Sequence, residues 1–341
     1  MHPELLALGW TEGMSHHLSA GLEPARVTAV HRGRVAVRGP EGSRQAPVAG
    51  TLLHEGDAPV VGDWVGVEPG GAVREVLPRL GVLRRSDGPR IEVLAANVDL
   101  GLVVTSANGD LNLRRLERFV ALVRDGGVPA CILLTKADLV EDPDEQAAGL
   151  RAELGAPVLV SSARTGAGVA DLAARLPQRA TTALIGSSGV GKSTLVNALL
   201  GEERQKTLPI REHDARGRHA TTHRELFELP GGALLVDTPG VRLAALVGDD
   251  GLHGTFGDVS HLAERCRFAD CGHGAEPGCA VQDAIATGDL AEGRLDAMRR
   301  LERETRAAEE RRDGPGRAAR RLREKRFARV TKDAQTRKRG D

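Results

Sequence analysis

The run best equipped for chemistry is Gly186-Ser187-Ser188-Gly189-Val190-Gly191-Lys192-Ser193-Thr194, which fits G-x-x-x-x-G-K-[ST]. Glycines at these positions let backbone N–H groups turn inward around phosphate oxygens, and a helix N-terminus behind them adds partial positive charge. Lys192 would reach the β- and γ-phosphates, and the Ser193 hydroxyl would hold Mg²⁺. The chain has only six lysines, at 136, 192, 206, 325, 332 and 338, so a chance match ending on one of them is rare. A second cluster, Cys266, Cys271, His273 and Cys279, is spaced C-x₄-C-x-H-x₅-C with Gly272, Gly274 and Gly278 interleaved. Three thiolates and one imidazole complete a tetrahedral shell with no open position, which is the chemistry of one structural zinc ion. Cys131 lies in an apolar run and reads as packing.

Thr135-Lys136-Ala137-Asp138 resembles [NT]-K-x-D, the guanine-specificity motif of GTP-binding proteins. A carboxylate accepts hydrogen bonds from guanine N1–H and the 2-amino group, whereas adenine presents an acceptor at N1 and no amino group beside it. The Lys136 stem would lie along the base and brace the phosphate loop. Ser162-Ala163, one strand later, resembles the element whose backbone N–H meets guanine O6. Asp237-Thr238-Pro239-Gly240 resembles the third GTPase motif: Asp237 would hold Mg²⁺ through a water, and the Gly240 N–H would sense the γ-phosphate. The polar stretch Gly217-Arg218-His219-Ala220-Thr221-Thr222-His223 is the natural first switch, where the hydroxyl of Thr221 or Thr222 would complete the Mg²⁺ shell. Val241 follows D-T-P-G, where many small GTPases place a water-orienting glutamine. An aliphatic side chain cannot orient water, so His219 becomes the candidate for that task.

These residues need a frame. Ala183-Leu184-Ile185 enters the phosphate loop as a strand, and a helical run from Thr194 ends at Gly201. Val98 to Thr105, Pro129 to Leu134, Val158 to Val160 and Gly231 to Val236 read as further strands, with helices over Leu113 to Val123 and Glu145 to Leu154. Their alternation predicts a parallel sheet covered by helices. The base motif and Ser162-Ala163 precede the phosphate loop, the reverse of the usual GTPase order, so the strand–helix units are circularly permuted. Upstream, Arg26 to Val30, Arg34 to Val37, Asp63 to Val67 and Ala72 to Val76 are short β-prone runs between Gly, Pro and Asp. They predict a small antiparallel barrel, with the OB-fold as candidate and Trp64 in its core. With five Phe, two Trp and no Tyr in 341 residues, no base-stacking platform is evident on it.

The net charge of zero hides an asymmetry: Arg299 to Asp341 carries +9 and the remainder −9. A basic tail on an acidic body points to an anionic partner such as RNA. No apolar run is long enough to span a membrane, and no leader is visible at Met1-His2-Pro3-Glu4, so a cytoplasmic protein is expected.

In this order, the motifs resemble those of the ribosome small-subunit-dependent GTPase family RsgA, also called YjeQ. Leu8-Gly9-Trp10, Val61-Gly62-Asp63-Trp64-Val65 and Ala95-Ala96-Asn97-Val98-Asp99 join the permuted GTPase motifs and the Cys-Cys-His-Cys cluster in carrying the resemblance. It implies a multidomain chain: a lead-in (1–22), an all-β OB-fold (23–88), an α/β P-loop GTPase domain with permuted motif order (89–247), a mainly α zinc domain (248–298) and a basic tail (299–341). It implies GTP and GDP as ligands, Mg²⁺ with GTP, binding to the small ribosomal subunit and its rRNA, and subunit-stimulated hydrolysis in late maturation of that subunit. The family's switch-I histidine falls on His219, and Ala220 departs from its usual run of three threonines. A monomer is the default expectation. The alternative is an RNA-binding P-loop NTPase with no ribosomal role.

Overall fold

The computed structural model describes residues 2–31, 33–55, 58–87, 90–108, 111–203, 224–238, 246–247, 250–274, 276–291 and 293–311. The expectations placed on His219, Thr221, Thr222, Gly240 and the tail beyond 311 lie outside them.

The chain opens with a short helix, α1 (Pro3–Ala7), with proline at its first position and His2 accepting the Glu4 N–H at its N-cap. Strands β1 (Glu23–His31), β2 (Arg34–Gly39) and β3 (Gly42–Pro47) form an antiparallel meander, and α2 (Gly50–Glu55) follows. Strand β4 (Trp64–Val67) pairs with the first half of β1, and β5 (Val73–Val76) pairs with β4. A bridge between Val48 and Val73 closes the circuit β3-β2-β1-β4-β5. Val27, Val35, Val37, Val65, Val67 and Val73 fill the interior, as period-two alternation dictates. Strands β6 (Leu83–Asp87) and β7 (Arg90–Ala95) form a separate hairpin.

The second layer system alternates β8 (Leu100–Ser106), α3 (Leu113–Asp125), β9 (Ala130–Thr135), α4 (Pro143–Leu154), β10 (Val158–Val160), α5 (Val169–Arg175), β11 (Thr181–Ile185) and α6 (Lys192–Leu200). Strands β12 (Glu225–Glu228) and β13 (Leu234–Asp237) complete it. The order across the sheet is β10-β9-β8-β11-β13-β12, parallel except for β12. Leu102, Leu133, Leu184 and Leu235 face α5 and α6, while Val103, Ile132, Ile185 and Val236 face the core shared with α3 and α4. Both faces are covered, which explains the nearly continuous apolar strands. Among the described residues the pairing of Ala29 with Glu225 joins β1 to β12 and makes the barrel and this sheet continuous.

Four helices end the described chain: α7 (Asp250–Thr255), α8 (Gly257–Ala263), α9 (Ala280–Thr287) and α10 over 293–311. A side chain at Gly251 would overlap the Ala121 carbonyl, so glycine lets α7 press against α3. Arg294 reinforces the contact, donating to Asp258 (2.8 Å), Glu117 (3.3 Å) and the Thr255 carbonyl (2.6 Å) while lying over Phe256. The expected boundary at 298 falls within α10. Among the described residues no helix is long and apolar enough to cross a membrane.

One buried cation joins the parts. Arg26, 2% exposed, donates to the carbonyls of Leu8, Gly62 (3.2 Å) and Asn97 (3.1 Å) and to the Thr181 hydroxyl (2.7 Å), with the Trp64 ring 5.2 Å away. It thus binds the lead-in, the barrel and the first residue of β11. Burial pushes its pKa down to about 10, opposed by Asp99 and Asp63. A buried charge persists only when hydrogen-bonded on all sides. Arg26→Leu leaves buried acceptors without a donor and is expected to cost on the order of 3–5 kcal/mol, read as a lower midpoint in urea. A midpoint unchanged in the variant would show that the hub contributes nothing.

Candidate nucleotide site and metal centre

The carboxyl ends of β8, β9, β11 and β13 align in register, with Ser106 opposite Thr135, Val103 opposite Ile185 and Leu184 opposite Asp237. Open α/β sheets bind ligands at such a crevice. Strand β11 delivers Gly186, where any Cβ would overlap the Val104 carbonyl, so the loop lies flat on β8. Gly189 (φ 83°) and Gly191 (φ 96°) take left-handed conformations that suit glycine, and α6 starts at Lys192. Lys192 is 7% exposed and donates to the carbonyls of Gly186 (2.9 Å) and Ser187 (2.7 Å), which folds the loop around its own ammonium. Ser187, Ser188, Gly189, Val190, Ser193 and Thr194 complete the loop and first turn, Val190 buried and Ser188 exposed.

The base motif is tied to that loop. The Thr135 hydroxyl lies 2.6 Å from the Val190 carbonyl and 2.9 Å from that of Thr105. Lys136, in a left-handed conformation (φ 55°), donates to the Gly189 carbonyl at 2.9 Å. Asp138 accepts from the Ser162 hydroxyl (2.5 Å) and from Arg164 Nε (2.8 Å), and the Ser162 bond holds its carboxyl below the usual range. Each oxygen keeps a lone pair for a further donor. Ala137 and Ala163 stand beside these residues, Ala137 N–H bonded to the Ser161 carbonyl.

Asp237 is 1% exposed, and among the described residues nothing donates to either carboxylate oxygen. Burial pushes its pKa up to about 6, opposed by Lys192, whose own pKa burial pushes down to about 8. A buried, unpartnered carboxylate beside a phosphate loop is the donor set that Mg²⁺ with its waters would fit. Thr238 Oγ1 donates to the Leu184 carbonyl (2.5 Å) and fixes the chain as it leaves β13. A charged Asp237 and a protonated Lys192 are both needed for a magnesium nucleotide. Its affinity is therefore expected to fall as pH drops through about 6 and as pH rises through about 8. A titration with a fluorescent guanine nucleotide checks this; a flat profile from pH 5 to 9 would contradict it.

Cys266, Cys271, His273 and Cys279 each offer one ligand atom, all within 4.8 Å of one another. Cys266 Sγ and Cys279 Sγ lie 3.9 Å apart, and each is 3.5 and 3.6 Å respectively from His273 Nδ1. Tetrahedral zinc with bonds of about 2.3 Å to sulfur and about 2.0 Å to nitrogen requires edges of about 3.8 and about 3.5 Å, so the donors fit that ion. Glu276 accepts from the N–H groups of Gly272 (3.0 Å) and Gly274 (2.6 Å) and pins the turn holding His273. Cys131 stands apart in β9, 7% exposed, its thiol pushed up to about 11 by burial.

Sequence reading passed over Arg164, Glu276 and Arg26. Arg164 followed directly on Ser162-Ala163 and Glu276 lay inside the Cys/His run, so position alone could have raised both. Arg26 gave no sequence signal.

The comparisons agree with this geometry. The RsgA GTPase family model matches residues 76–246. The chain is 42% identical over 343 residues to the small ribosomal subunit biogenesis GTPase RsgA of Streptomyces coelicolor, covering 97% of this chain and 93% of that protein. It is 44% identical over 313 residues to the protein of the same name from Mesorhizobium japonicum, covering 88% and 89%. Among solved structures it resembles YjeQ from Thermotoga maritima (TM-score 0.60, 25% identity, 83% of this chain and 98% of that one). It also resembles YloQ, described as a circularly permuted GTPase (TM-score 0.62, 25% identity, 85% and 96%). A permuted sheet that gathers a phosphate loop, a T-K-A-D turn and a buried Asp237, together with these likenesses over nearly the whole chain, places it in the RsgA GTPase family, whose members hydrolyse GTP.

Proposed function

We propose that this protein hydrolyses GTP in the late maturation of the small ribosomal subunit, binding the subunit and its rRNA in one nucleotide state and releasing it in the other. The observation that carries the GTP reading is the bonding of Thr135 and Lys136 to the phosphate loop, which sets Asp138 at a fixed distance from the phosphates. The subunit assignment rests on the name that the relatives bear.

In this reading Asp138 takes guanine N1–H and the 2-amino group, and the Ala163 N–H meets O6. Gly186 to Thr194 wrap the phosphates, and Lys192 stabilises charge on the β–γ bridge. Ser193, Asp237 and Thr221 or Thr222 hold Mg²⁺, which supplies charge neutralisation for the phosphates. Gly240 senses the γ-phosphate, and His219 positions the attacking water. The strand order β3-β2-β1-β4-β5, with α2 between β3 and β4, supports an OB-fold at 23–88, followed by the GTPase domain (89–247), the zinc domain (248–298) and the tail. Cys266, Cys271, His273 and Cys279 hold one structural zinc. The protein works in the cytoplasm as a monomer.

Co-sedimentation with purified small subunits tests the switch: retention with a non-hydrolysable GTP analogue should exceed retention with GDP about tenfold or more. Equal retention in both states would remove the nucleotide-switched reading. Zinc removal by a chelator should unfold the loop between Cys266 and Cys279 and abolish subunit retention while GTP affinity persists. Retention undiminished after proven zinc loss would show the site to be dispensable.

A further inference from the structure

Among the described residues no donor reaches either carboxylate oxygen of Asp237, so the place of that side chain is set through its backbone. Asp237 ends β13, which lies between β11 and β12. On the β11 side the support is a parallel ladder from Thr181 to Leu184, inside the sheet. On the other side stands β12, only four residues long, with Leu226 buried on one face and Phe227 on the other. A pair of strands this short is marginal by itself and depends on what lies beyond it.

What lies beyond β12 belongs to the barrel. Ala29 of β1 pairs with Glu225, and Glu225 pairs in turn with Asp237, so one row of the sheet runs from the barrel to the carboxylate. Two strand spacings of about 4.8 Å separate the ends of that row. Arg224, just before β12, adds a second tie at this end, donating to Glu92 and to the Val93 carbonyl (3.4 Å). At the other end Glu228 pairs with Leu234, where β13 begins. Strand β1 has turned away there, its residues Glu23 to Arg26 pairing with β4. Arg38 of β2 spans the gap. It donates to Glu228 at 2.5 Å through Nη1 and to Glu4 of α1 at 3.0 and 2.7 Å through Nε and Nη2. Its side chain is 27% exposed, so water shields the pair only in part.

We propose that Arg38, a barrel residue, positions the magnesium site of the GTPase sheet: with Glu228 held by Arg38 and Glu225 by Ala29, β12 is fixed at both ends and sets the place of Asp237. The proposal rests on the reading of Asp237 as the carboxylate that holds Mg²⁺ through water. Arg38 acts through β12 and is a positioning residue. No covalent step is involved. An ion pair that served only to fasten two surfaces would leave metal affinity alone, and that difference is what the test reads.

Mn²⁺ is the probe, titrated into the GDP-loaded full chain and followed by electron paramagnetic resonance. Arg38→Gln removes the charge and keeps a polar side chain. It is expected to weaken Mn²⁺ binding about threefold and to raise by a similar factor the Mg²⁺ needed for half-maximal GTP turnover, with kcat at saturating Mg²⁺ held within about twofold. Glu228→Gln should do the same, and the double variant no more than either single one, because one pair is lost in each case. Unchanged Mn²⁺ affinity in Arg38→Gln, or two effects that add, would overturn the proposal. Should Arg38→Gln lose its cooperative urea transition, Glu228→Gln decides in its place, since it leaves Arg38 on Glu4. Asp237→Asn tests the underlying reading separately, and is expected to weaken Mn²⁺ binding well beyond Arg38→Gln. Mn²⁺ held by Asp237→Asn as tightly as by the parent would remove Asp237 from the metal site, and the role of Arg38 would fall with it.

Discussion

Lys192→Ala is expected to lower GTP turnover by about 10²–10³-fold, because it removes a buried cation placed to follow charge onto the β- and γ-phosphates. Its two bonds to the Gly186 and Ser187 carbonyls also vanish, so the loop loses its internal clamp. Stability should not fall in step with activity. The folded-state pKa of Lys192 is about 8 against an ordinary value of 10.5, so burial of the charged form opposes folding at neutral pH. In the nucleotide-free parent that opposition fades as pH rises from about 8 to 10.5, where the unfolded chain still binds the proton and the folded one does not. Stability therefore climbs over that window in the parent, and the climb is absent from Lys192→Ala. Asp237 loses the charge that opposes its burial, so its carboxyl moves above about 6 in the variant. Single-turnover assays and urea melts across pH separate the two effects. Turnover within threefold of the parent would remove Lys192 from the reaction.

Asp138→Asn should reduce affinity for GTP by about 10²–10⁴-fold, since two hydrogen bonds to a charged acceptor are lost and an amide N–H₂ is set against guanine donors. The same amide suits xanthine, whose C2 oxygen accepts where guanine's amino group donates, so xanthosine triphosphate should bind the variant better than GTP does. Thr135 and Lys136 reach the phosphate loop through their own bonds, so the loop keeps them in the variant. A competition titration of the two nucleotides measures the exchange. Unchanged preference for GTP would place the base elsewhere.

The sequence showed the site more fully than the fold that surrounds it. Phosphate-loop and T-K-A-D residues are legible because their chemistry forces residue type at fixed spacing: no Cβ fits at Gly186, and Lys136 must reach Gly189. The parallel strands were legible because burial on both faces leaves only apolar runs. Strand β3, Gly-Ser-Arg-Gln-Ala-Pro, was not seen, since only Ala46 of it is buried and its residue types carry no apolar alternation to detect. The β6–β7 hairpin was missed for a related reason, as polar residues such as Arg85, paired with Glu92, break up the apolar ones it buries, Leu83, Leu94 and Ala95. Arg26 in a strand reads as a solvent-facing residue. Only the meeting of Leu8, Gly62, Asn97 and Thr181 around it, residues up to 155 positions away, turns it into a core element.

The most direct test of the central claim is the rate of GTP turnover by the purified protein with and without purified small ribosomal subunits, beside ATP and the Lys192→Ala variant. The account predicts strong stimulation of GTP turnover by subunits, little turnover of ATP, and no stimulation in the variant. A GTP rate indifferent to subunits, in a protein that still binds GTP selectively, would leave the nucleotide site standing and contradict the ribosomal role.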